Sequence, residues 1–354
     1  MIYIHVPFCR SYCTYCDFYS EIPCSNREGA DFQCYTCSLL SEIEARRSEI
    51  SATLGMNTLY IGGGTPSALP LENLKQIADA LKCFGPYREF TIEVNPEDIV
   101  DKGDAYVEAL RAIGVTRFSM GVQSLDDKML SWMNRRHNAA GARKAFGLLK
   151  GERSVDIITG VPDMSIEILE KTVDEVIGWR PEHISAYQLS IEEGSALEKM
   201  IEDGKTDEAP EEECRKHYEF LCTSLKTAGY HHYEISNWSL PGHEALHNSA
   251  YWKRVPYVGL GPGAHSLRIG EDGTQIRSWN SKQISGWSVK GSEILSEQEI
   301  REETIMLGFR TDKGVSGSLL EGRDCSLLEA LPNGNYRIPE NRLFVADDII
   351  SDLI

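Results

Sequence analysis

Six times in the first 190 residues, a short apolar or β-branched run gives way to a helical pattern. The strand-like runs span 1–6, 58–62, 90–94, 117–122, 154–160 and 183–189. The helical patterns between them span 38–54, 71–83, 98–113, 139–150 and 166–179. Strands that alternate with helices pair in parallel, because each helix carries the chain back across one face of the sheet. The alternation therefore predicts an α/β fold, either an open doubly wound sheet or a partial barrel. The polar residues favour the barrel. A cysteine loop follows the first strand, and Gly62-Gly63-Gly64-Thr65-Pro66 follows the second. Glu93 and Asn95 end the third strand, Gln123 ends the fourth, Asp156 lies within the fifth, and Tyr187 and Gln188 close the sixth. Barrel enzymes build their sites at the C-terminal ends of successive strands, whereas a doubly wound sheet gathers its site at one reversal of strand order.

Beyond residue 200 the pattern changes. An acidic run with Pro210, 207–213, reads as a solvated loop leading into a helix over 211–228. Residues 231–266 are rich in aromatics, His and Gly. The tail predicts short helices at 297–309, 316–320 and 325–331, a hairpin from 336–339 and 343–345, and a last helix at 346–354. This is the order of a small winged-helix-like module. The expected division is a core over 1–200, an extension over 201–290 and the module over 291–354. A net charge of −18, from 36 basic and 54 acidic residues, argues against nucleic acid or anionic lipid as partners. No stretch is long and apolar enough to span a membrane, and Met1 leads straight into a strand with no signal peptide. The expectation is a cytoplasmic protein. In that compartment its ten cysteines read as metal ligands or free thiols rather than a disulfide framework.

Cys9, Cys13 and Cys16 stand at C-x3-C-x2-C spacing, separated by polar residues rather than by a core pattern. Two metal readings stay open on spacing alone. Structural zinc would need a fourth ligand from Cys24, Cys34 or Cys37, and Cys34-Tyr35-Thr36-Cys37 has the spacing of half a zinc site. An iron–sulfur cube held by three thiolates would keep one iron open to a substrate. Taken singly, the glycines read as a plain turn, Glu93 as a solvated or ion-paired carboxylate, and Cys24, Cys34 and Cys37 as surface or buried thiols.

These residues together resemble a known family. C-x3-C-x2-C looks like the signature of the radical S-adenosylmethionine (SAM) enzymes. Tyr3-Ile4-His5-Val6-Pro7-Phe8-Cys9 resembles the approach to that signature in one branch, which contains oxygen-independent coproporphyrinogen III oxidase and the radical SAM haem chaperones of the HemW type. So do Ile61-Gly62-Gly63-Gly64-Thr65-Pro66-Ser67, Ile92-Glu93-Val94-Asn95-Pro96 and Gly121-Val122-Gln123-Ser124. Asp156-Ile157-Ile158-Thr159-Gly160-Val161-Pro162, His183-Ile184-Ser185-Ala186-Tyr187-Gln188-Leu189 and Tyr257-Val258-Gly259-Leu260-Gly261-Pro262-Gly263-Ala264-His265 extend the likeness along nearly the whole chain.

The resemblance implies a partial (β/α)6 TIM-like barrel of the radical SAM type with a small C-terminal winged-helix-like module. It implies a 4Fe–4S cluster on Cys9, Cys13 and Cys16, whose open iron chelates the amino and carboxylate groups of SAM. An external donor would supply the electron that cleaves the sulfonium to a 5′-deoxyadenosyl radical. It gives Gly63, Gly64 and Thr65 the methionine part of SAM, and Glu93 its ammonium or ribose, a sensible match of charge. Tyr3 and Tyr15 match SAM contacts beside the cluster. Gln123, Arg135 and Asp156 match positions that hold a second SAM in the oxidase. Arg135 has the fork to grip a carboxylate and ranks above its neighbour Arg136 on spacing from Gln123.

Oxidase and haem chaperone differ at three features. The oxidases carry a fourth cysteine two residues after the third, where this chain has Phe18. They also carry a long segment ahead of the first strand, where this chain is expected to begin with the strand itself. Finally, His247-Asn248-Ser249-Ala250-Tyr251-Trp252 matches an H-N-x-x-Y-W motif associated with haem binding in the chaperones. His is a natural axial ligand of haem iron, and aromatic rings suit the macrocycle. The resemblance thus implies haem contact at His247, Asn248, Tyr251 and Trp252, with His243 and His265, then His231 and His232, as other candidates for the iron. Haem-receiving proteins are the implied partners, with any membrane association only through such clients. The oxidase reaction, oxidative decarboxylation of coproporphyrinogen III to protoporphyrinogen IX, is the alternative.

Overall fold

The strands form because each alternates outward apolar residues with inward polar ones, so one face can be buried against helices. The computed structural model describes residues 1–24 and 26–354. Its main sheet contains β1 (Ile2–Val6), β2 (Thr58–Gly63), β3 (Glu89–Val94), β4 (Arg117–Gln123), β5 (Glu152–Thr159), β6 (His183–Gln188), β7 (His231–Glu234), β8 (Asn237–Ser239) and β9 (Val258–Leu260). The order across the sheet is β7-β8-β6-β5-β4-β3-β2-β1-β9. Strands β1 to β6 are therefore neighbours in sequence order, and all pair in parallel. That is barrel order, with no switch point. β9 adds in parallel beside β1, while β8 pairs antiparallel with β6, and β7 antiparallel with β8.

Helices α1 (Glu28–Ala45), α2 (Arg47–Ala52), α3 (Leu71–Leu81), α4 (Pro96–Ala112), α5 (Asp127–Trp132), α6 (Ala139–Leu148) and α7 (Ile166–Trp179) fill the crossovers. Ile61, Ile92, Met120 and Ile184 on the strands are fully buried in one core with Leu39, Leu74, Leu110 and Val173 on the helices. The residues between them on the strands, Tyr60, Thr91, Glu93, Ser119, Asp156 and Ser185, face the other way and line a cavity.

The rest of the chain closes the two ends of this sheet. After α8 (Ala196–Glu202) and α9 (Glu211–Thr227) come α10 (Leu246–Trp252) and an antiparallel sheet of β10 (His265–Ile269), β11 (Gln275–Asn280) and β12 (Val289–Ile294). Helix α11 (Glu297–Phe309) opens on a capping box at Ser296 and Glu299. It packs with α12 (Ala346–Ser351) in a small separate core that includes Ile305, Phe309 and Ile350. Strands β13 (Val315–Ser316), β14 (Glu329–Ala330) and β15 (Asn335–Arg337) form a three-stranded sheet in the order β13-β15-β14. Among the described residues, no helix is long and apolar enough to cross a membrane.

Three expectations need correction. Residues 325–331 are not a helix: they run into β14, which forms a hairpin with β15. Asn333-Gly334 between them is a strong hairpin signal, and Gly334 takes the positive φ (84°) that such a turn needs. Residues 343–345 are not the second hairpin strand but the end of a 3-10 turn, Glu340–Val345, launched by Pro339. Helix α1 starts at Glu28, ten residues before the expected 38, because Phe32, Tyr35, Leu39 and Ile43 already carry helical spacing.

One ion pair fixes how α10 meets the sheet. Glu89 at the start of β3 accepts from Arg117 Nε (3.1 Å) and from the backbone N–H groups of Leu246 (3.0 Å) and His247 (2.9 Å). A carboxylate borrowed from another strand thus satisfies orphan donors at the α10 N-terminus. Arg117 is only 4% exposed, and Glu89→Ala leaves it just the half-exposed Glu152 (2.7 Å) as counter-charge while stranding the two helix N–H groups. The variant is expected to lose about 3–5 kcal/mol in urea unfolding. A loss below about 1 kcal/mol, the range of a surface pair, contradicts this anchoring role.

Candidate functional site

The polar face of the sheet encloses a cavity of ≈ 580 Å³. Cys9, Cys13 and Cys16 line it, all as half-buried free thiols. Their loop is fixed at both ends. Cys9 N–H donates to Glu21 O (3.0 Å), and Thr14 donates from its backbone to Met133 O (3.2 Å) and from its hydroxyl to Trp132 O (2.8 Å). Asn134 stands at φ 55° and donates to Tyr12 O at 2.7 Å. Asn tolerates this left-handed conformation better than most side chains, and its amide uses it to clasp the loop. Next to it, the buried Arg135 guanidinium donates to Cys13 Sγ (3.4 Å), Asn95 Oδ1 (2.8 Å) and Gly121 O (3.0 Å). Arg136 instead turns outward toward Glu97, at 3.8 Å. Tyr15 lines the cavity beside Cys13, and burial pushes its phenol pKa up. Burial raises the Cys9 thiol and pushes Cys16 up to about 11.

Across the cavity stand two buried carboxylates. Glu93 accepts from Tyr60 OH at Oε1 (2.7 Å) and from the Gly63 N–H at Oε2 (3.1 Å). Burial, with the Asp156 charge adding to it, lifts its pKa to about 7. Asp156 accepts from Ser119 Oγ at 3.0 and 3.2 Å, and burial lifts its pKa to about 6. The glycine turn fits between thiols and carboxylates only without side chains. A Cβ at Gly64 would lie 2.8 Å from Phe8 O and 3.1 Å from Cys9 Sγ, and one at Gly63, where φ is 113°, would lie 2.7 Å from the His5 ring. Thr65 Oγ1 accepts from Asn95 Nδ2 (3.2 Å) and lies 3.5 Å from Cys9 Sγ. Gln123 reaches the cavity from a strained φ of 66°, and its Oε1 is buried without a partner. Tyr3 is not among the lining residues. Its hydroxyl donates to His5 Nδ1 (3.1 Å), whose ring in turn donates from Nε2 to Tyr19 O (2.8 Å).

The H-N-x-x-Y-W motif sits elsewhere. It forms α10, tied to Glu89 and Arg117 at the starts of β3 and β4, whereas the cysteines gather at the strand C-terminal ends. The seven residues of β4 from Arg117 to Gln123 alone cover roughly 20 Å. His247 is only 1% exposed. Its Nδ1 is 2.8 Å from Thr58 Oγ1 and its Nε2 is 3.0 Å from Tyr251 OH. Both ring nitrogens are engaged, and burial lowers its pKa to about 3. In this structure His247 is thus a neutral packed residue with both ring nitrogens engaged. Tyr251 packs edge-on against Tyr257, and Trp252 is half-buried. Of the motif, only Asn248 lines the cavity.

Comparison with known proteins now decides the family. A profile of the radical SAM superfamily matches residues 3–176. The chain is 32% identical over 337 residues to a protein named heme chaperone HemW from Synechocystis, covering 90% of this chain and 79% of that one. It is 31% identical to the HemW heme chaperone of Bacillus subtilis, covering 89% of this chain and 84% of that one. The chain belongs to the HemW-type branch of the radical SAM superfamily. The coproporphyrinogen III oxidase of Escherichia coli, itself a radical SAM enzyme, has the same fold, with a TM-score of 0.80 over 99% of this chain and 89% of that one, at 18% identity.

Radical SAM membership implies a 4Fe–4S cluster and SAM, and the residues present fit both. The three thiols share one cavity with the Arg135 guanidinium, and among the described residues five lining side chains keep orphaned polar atoms, Thr91 Oγ1, Glu97 Oε2, Arg117 Nη1, Gln123 Oε1 and Arg135 Nε. Cys24, Cys34 and Cys37 are all exposed, the last two on α1 and outside the cavity lining. Reading only strand ends missed Tyr60, Ser119, Arg117 and His183, which also line the cavity. The signal for three of them is period two: Arg117 lies six and Ser119 four residues before Gln123, and His183 lies four before Tyr187.

Glu93 gives a pH test with a definite sign. Its folded pKa, about 7, lies above its ordinary value of 4.5, so the folded chain binds the extra proton. Its ionisation therefore opposes folding above the folded value, and stability falls as pH rises through this window. In cluster-free protein, Glu93→Gln is expected to raise the melting temperature at pH 8, by up to roughly 3 kcal/mol in stability. At pH 4 it should change little. Equal effects at both pH values contradict the buried-carboxylate assignment.

Proposed function

We propose that this protein holds a 4Fe–4S cluster on Cys9, Cys13 and Cys16, binds SAM in the same cavity, and binds haem for delivery to haem-dependent client proteins. The observation that carries the first two parts is the convergence of three free thiols and the two strand carboxylates Glu93 and Asp156 on one cavity. When bound, the cluster supplies single electrons and one coordination position free of protein. The chain's own residues do the rest. Glu93, held by Tyr60 and Gly63, accepts the N–H groups of the SAM ammonium. Gly63, Gly64 and Thr65 allow the methionine part to lie against backbone. Asp156, steadied by Ser119, and Gln123 with its free Oε1 take the more distant hydroxyl and amino groups. Arg135 offsets negative charge at Cys13 and offers its orphaned Nε to a carboxylate. Tyr15 shields the thiols from water, and Tyr3 acts from behind by fixing His5 under the glycine turn.

The haem role rests on the relatives being haem chaperones by name and on Phe18, which is 65% exposed where the oxidases have a fourth sulfur. Since His247 is engaged on both nitrogens, we place the iron ligand at His265. Its ring is exposed on β10, tilted 26° to the Trp279 ring at 6.0 Å, with no hydrogen bond to it among the described residues. Burial of part of the ring, then the charges of Arg277 and Lys282, lower its pKa and keep a lone pair available near neutral pH. Asn248, Tyr251 and Trp252 then support the cavity floor. A reduced protein partner must donate the electron, and the clients are haem proteins.

Three experiments separate these parts. Anaerobically reconstituted wild type should carry about four irons per chain, and Cys13→Ala should lose the brown absorption. Full iron content in that variant sinks the ligand assignment. With SAM, reductant and coproporphyrinogen III, no protoporphyrinogen IX should form; its formation would establish the oxidase reaction instead. In a haem titration, the Soret band should survive His247→Gln and weaken at least about tenfold in affinity in His265→Ala. The reverse pattern refutes His265 as the ligand.

A further inference from the structure

A second cluster of metal-binding side chains lies outside the cavity, where the C-terminal helices meet the sheet edge. Cys222 projects from α9, His232 from the edge strand β7, and Glu340 from the start of the 3-10 turn before α12. We propose that Cys222, His232 and Glu340 bind one zinc-class divalent cation that staples the C-terminal helices to the edge of the main sheet.

The hydrogen-bond pattern leaves only the Cys222 thiol proton between these three. His232 Nε2 lies 3.3 Å from Ile235 O. A carbonyl only accepts, so Nε2 carries the proton and Nδ1 presents a lone pair. That lone pair faces Glu340 Oε1 at 3.5 Å and Cys222 Sγ at 3.9 Å. The three ligand atoms all lie within 4.8 Å of one another. Three electron-rich atoms pointed inward are satisfied by a cation better than by one shared thiol proton. For zinc with bonds of 2.0–2.3 Å, tetrahedral ligands stand about 3.3–3.8 Å apart, so the observed spacing needs only a small closure.

The surroundings are those of a metal site's outer support. The His232 ring is stacked on Trp238 at 4.2 Å and 11°, which fixes its plane. Its N–H goes to a backbone carbonyl, the usual device that selects the metal-binding nitrogen. That same carbonyl also accepts from Tyr218 OH at 3.0 Å, and Ile235 N–H donates to Arg310 O at 2.9 Å. Lys226 holds the second Glu340 oxygen, Oε2, at 2.6 Å, which leaves Oε1 for the ion. A set of one thiolate, one imidazole and one carboxylate suits zinc and leaves a fourth position for water. The Glu340 side chain is 37% exposed, so solvent reaches that position. The three residues come from two cores, and Tyr218 touches Phe344 (6.0 Å) beside them. A shared ion would therefore tie the orientation of the C-terminal helices to metal supply, independently of the cluster.

The test uses the full-length chain with Cys9, Cys13 and Cys16 changed to Ser, so that the cavity thiols cannot compete. After equilibration with zinc and desalting, this chain should retain about one zinc ion. Cobalt in its place should give the visible bands of a tetrahedral site with a thiolate. Zinc should raise the melting temperature. Adding Cys222→Ser, His232→Gln or the half-exposed Glu340→Gln should weaken binding at least about tenfold and abolish the zinc-dependent thermal shift, with unchanged far-ultraviolet dichroism without metal. If zinc is retained equally in all three variants, it sits on surface thiols such as Cys24, Cys34 or Cys37, and the proposal is overturned. Failure of the parent chain to retain zinc overturns it equally.

Discussion

Burying a polar face inside a sheet costs several kcal/mol for each group left without a partner. The rest of this structure follows from that constraint. One face of the six parallel strands is apolar and meets the helices; the other carries Glu93, Asp156, Arg117, His183 and their neighbours. The fold meets the cost by pairing across adjacent strands: Tyr60 with Glu93, Ser119 with Asp156, Glu89 with Arg117, and Ser154 with His183 at 2.7 Å. Among the described residues the pairing is incomplete along the whole cavity: Arg135 Nε and Gln123 Oε1 stay orphaned at the strand C-terminal ends, and Thr91 Oγ1, Glu97 Oε2 and Arg117 Nη1 also keep unmet capacity toward the cavity.

The two ends of the cavity do different work. At the strand C-terminal ends, the cysteine loop is clasped by Asn134 and Arg135, and the glycine turn clears room beside it. At the other end, Glu89 receives the N-terminus of α10 and Arg117 together. His247 packs there with both ring nitrogens engaged, and of its motif only Asn248 lines the cavity. The C-terminal helices reach the chain just after α10 through Arg254, which holds Ile300 O and Glu303, and meet the main sheet at its β7 edge, where Cys222, His232 and Glu340 meet.

Much of this was legible in the sequence, for physical reasons. Six apolar runs with intervening helical periodicity determine parallel pairing, and C-x3-C-x2-C after the first strand determines which end holds the chemistry. The strand register then carries Glu93, Gln123 and Asp156 to the same cavity without further information. What stayed hidden was long-range. Nothing near His247 in sequence reveals that Thr58 and Tyr251 occupy both its nitrogens, or that Glu89, 158 residues away, caps its helix. The trio of Cys222, His232 and Glu340 is likewise assembled from three segments. The misread tail shows a local conflict: the hydrophobic spacing of 325–331 suggested a helix, but Asn333-Gly334 drew it into a hairpin.

The central claim is that three thiolates leave one iron open to SAM beside Glu93. Electron paramagnetic resonance of the reduced, reconstituted protein tests it most directly. Adding SAM should change the line shape of the reduced cluster, and the same addition to Glu93→Ala should leave it nearly unchanged. Identical wild-type spectra with and without SAM, in protein with full cluster occupancy, would contradict the account.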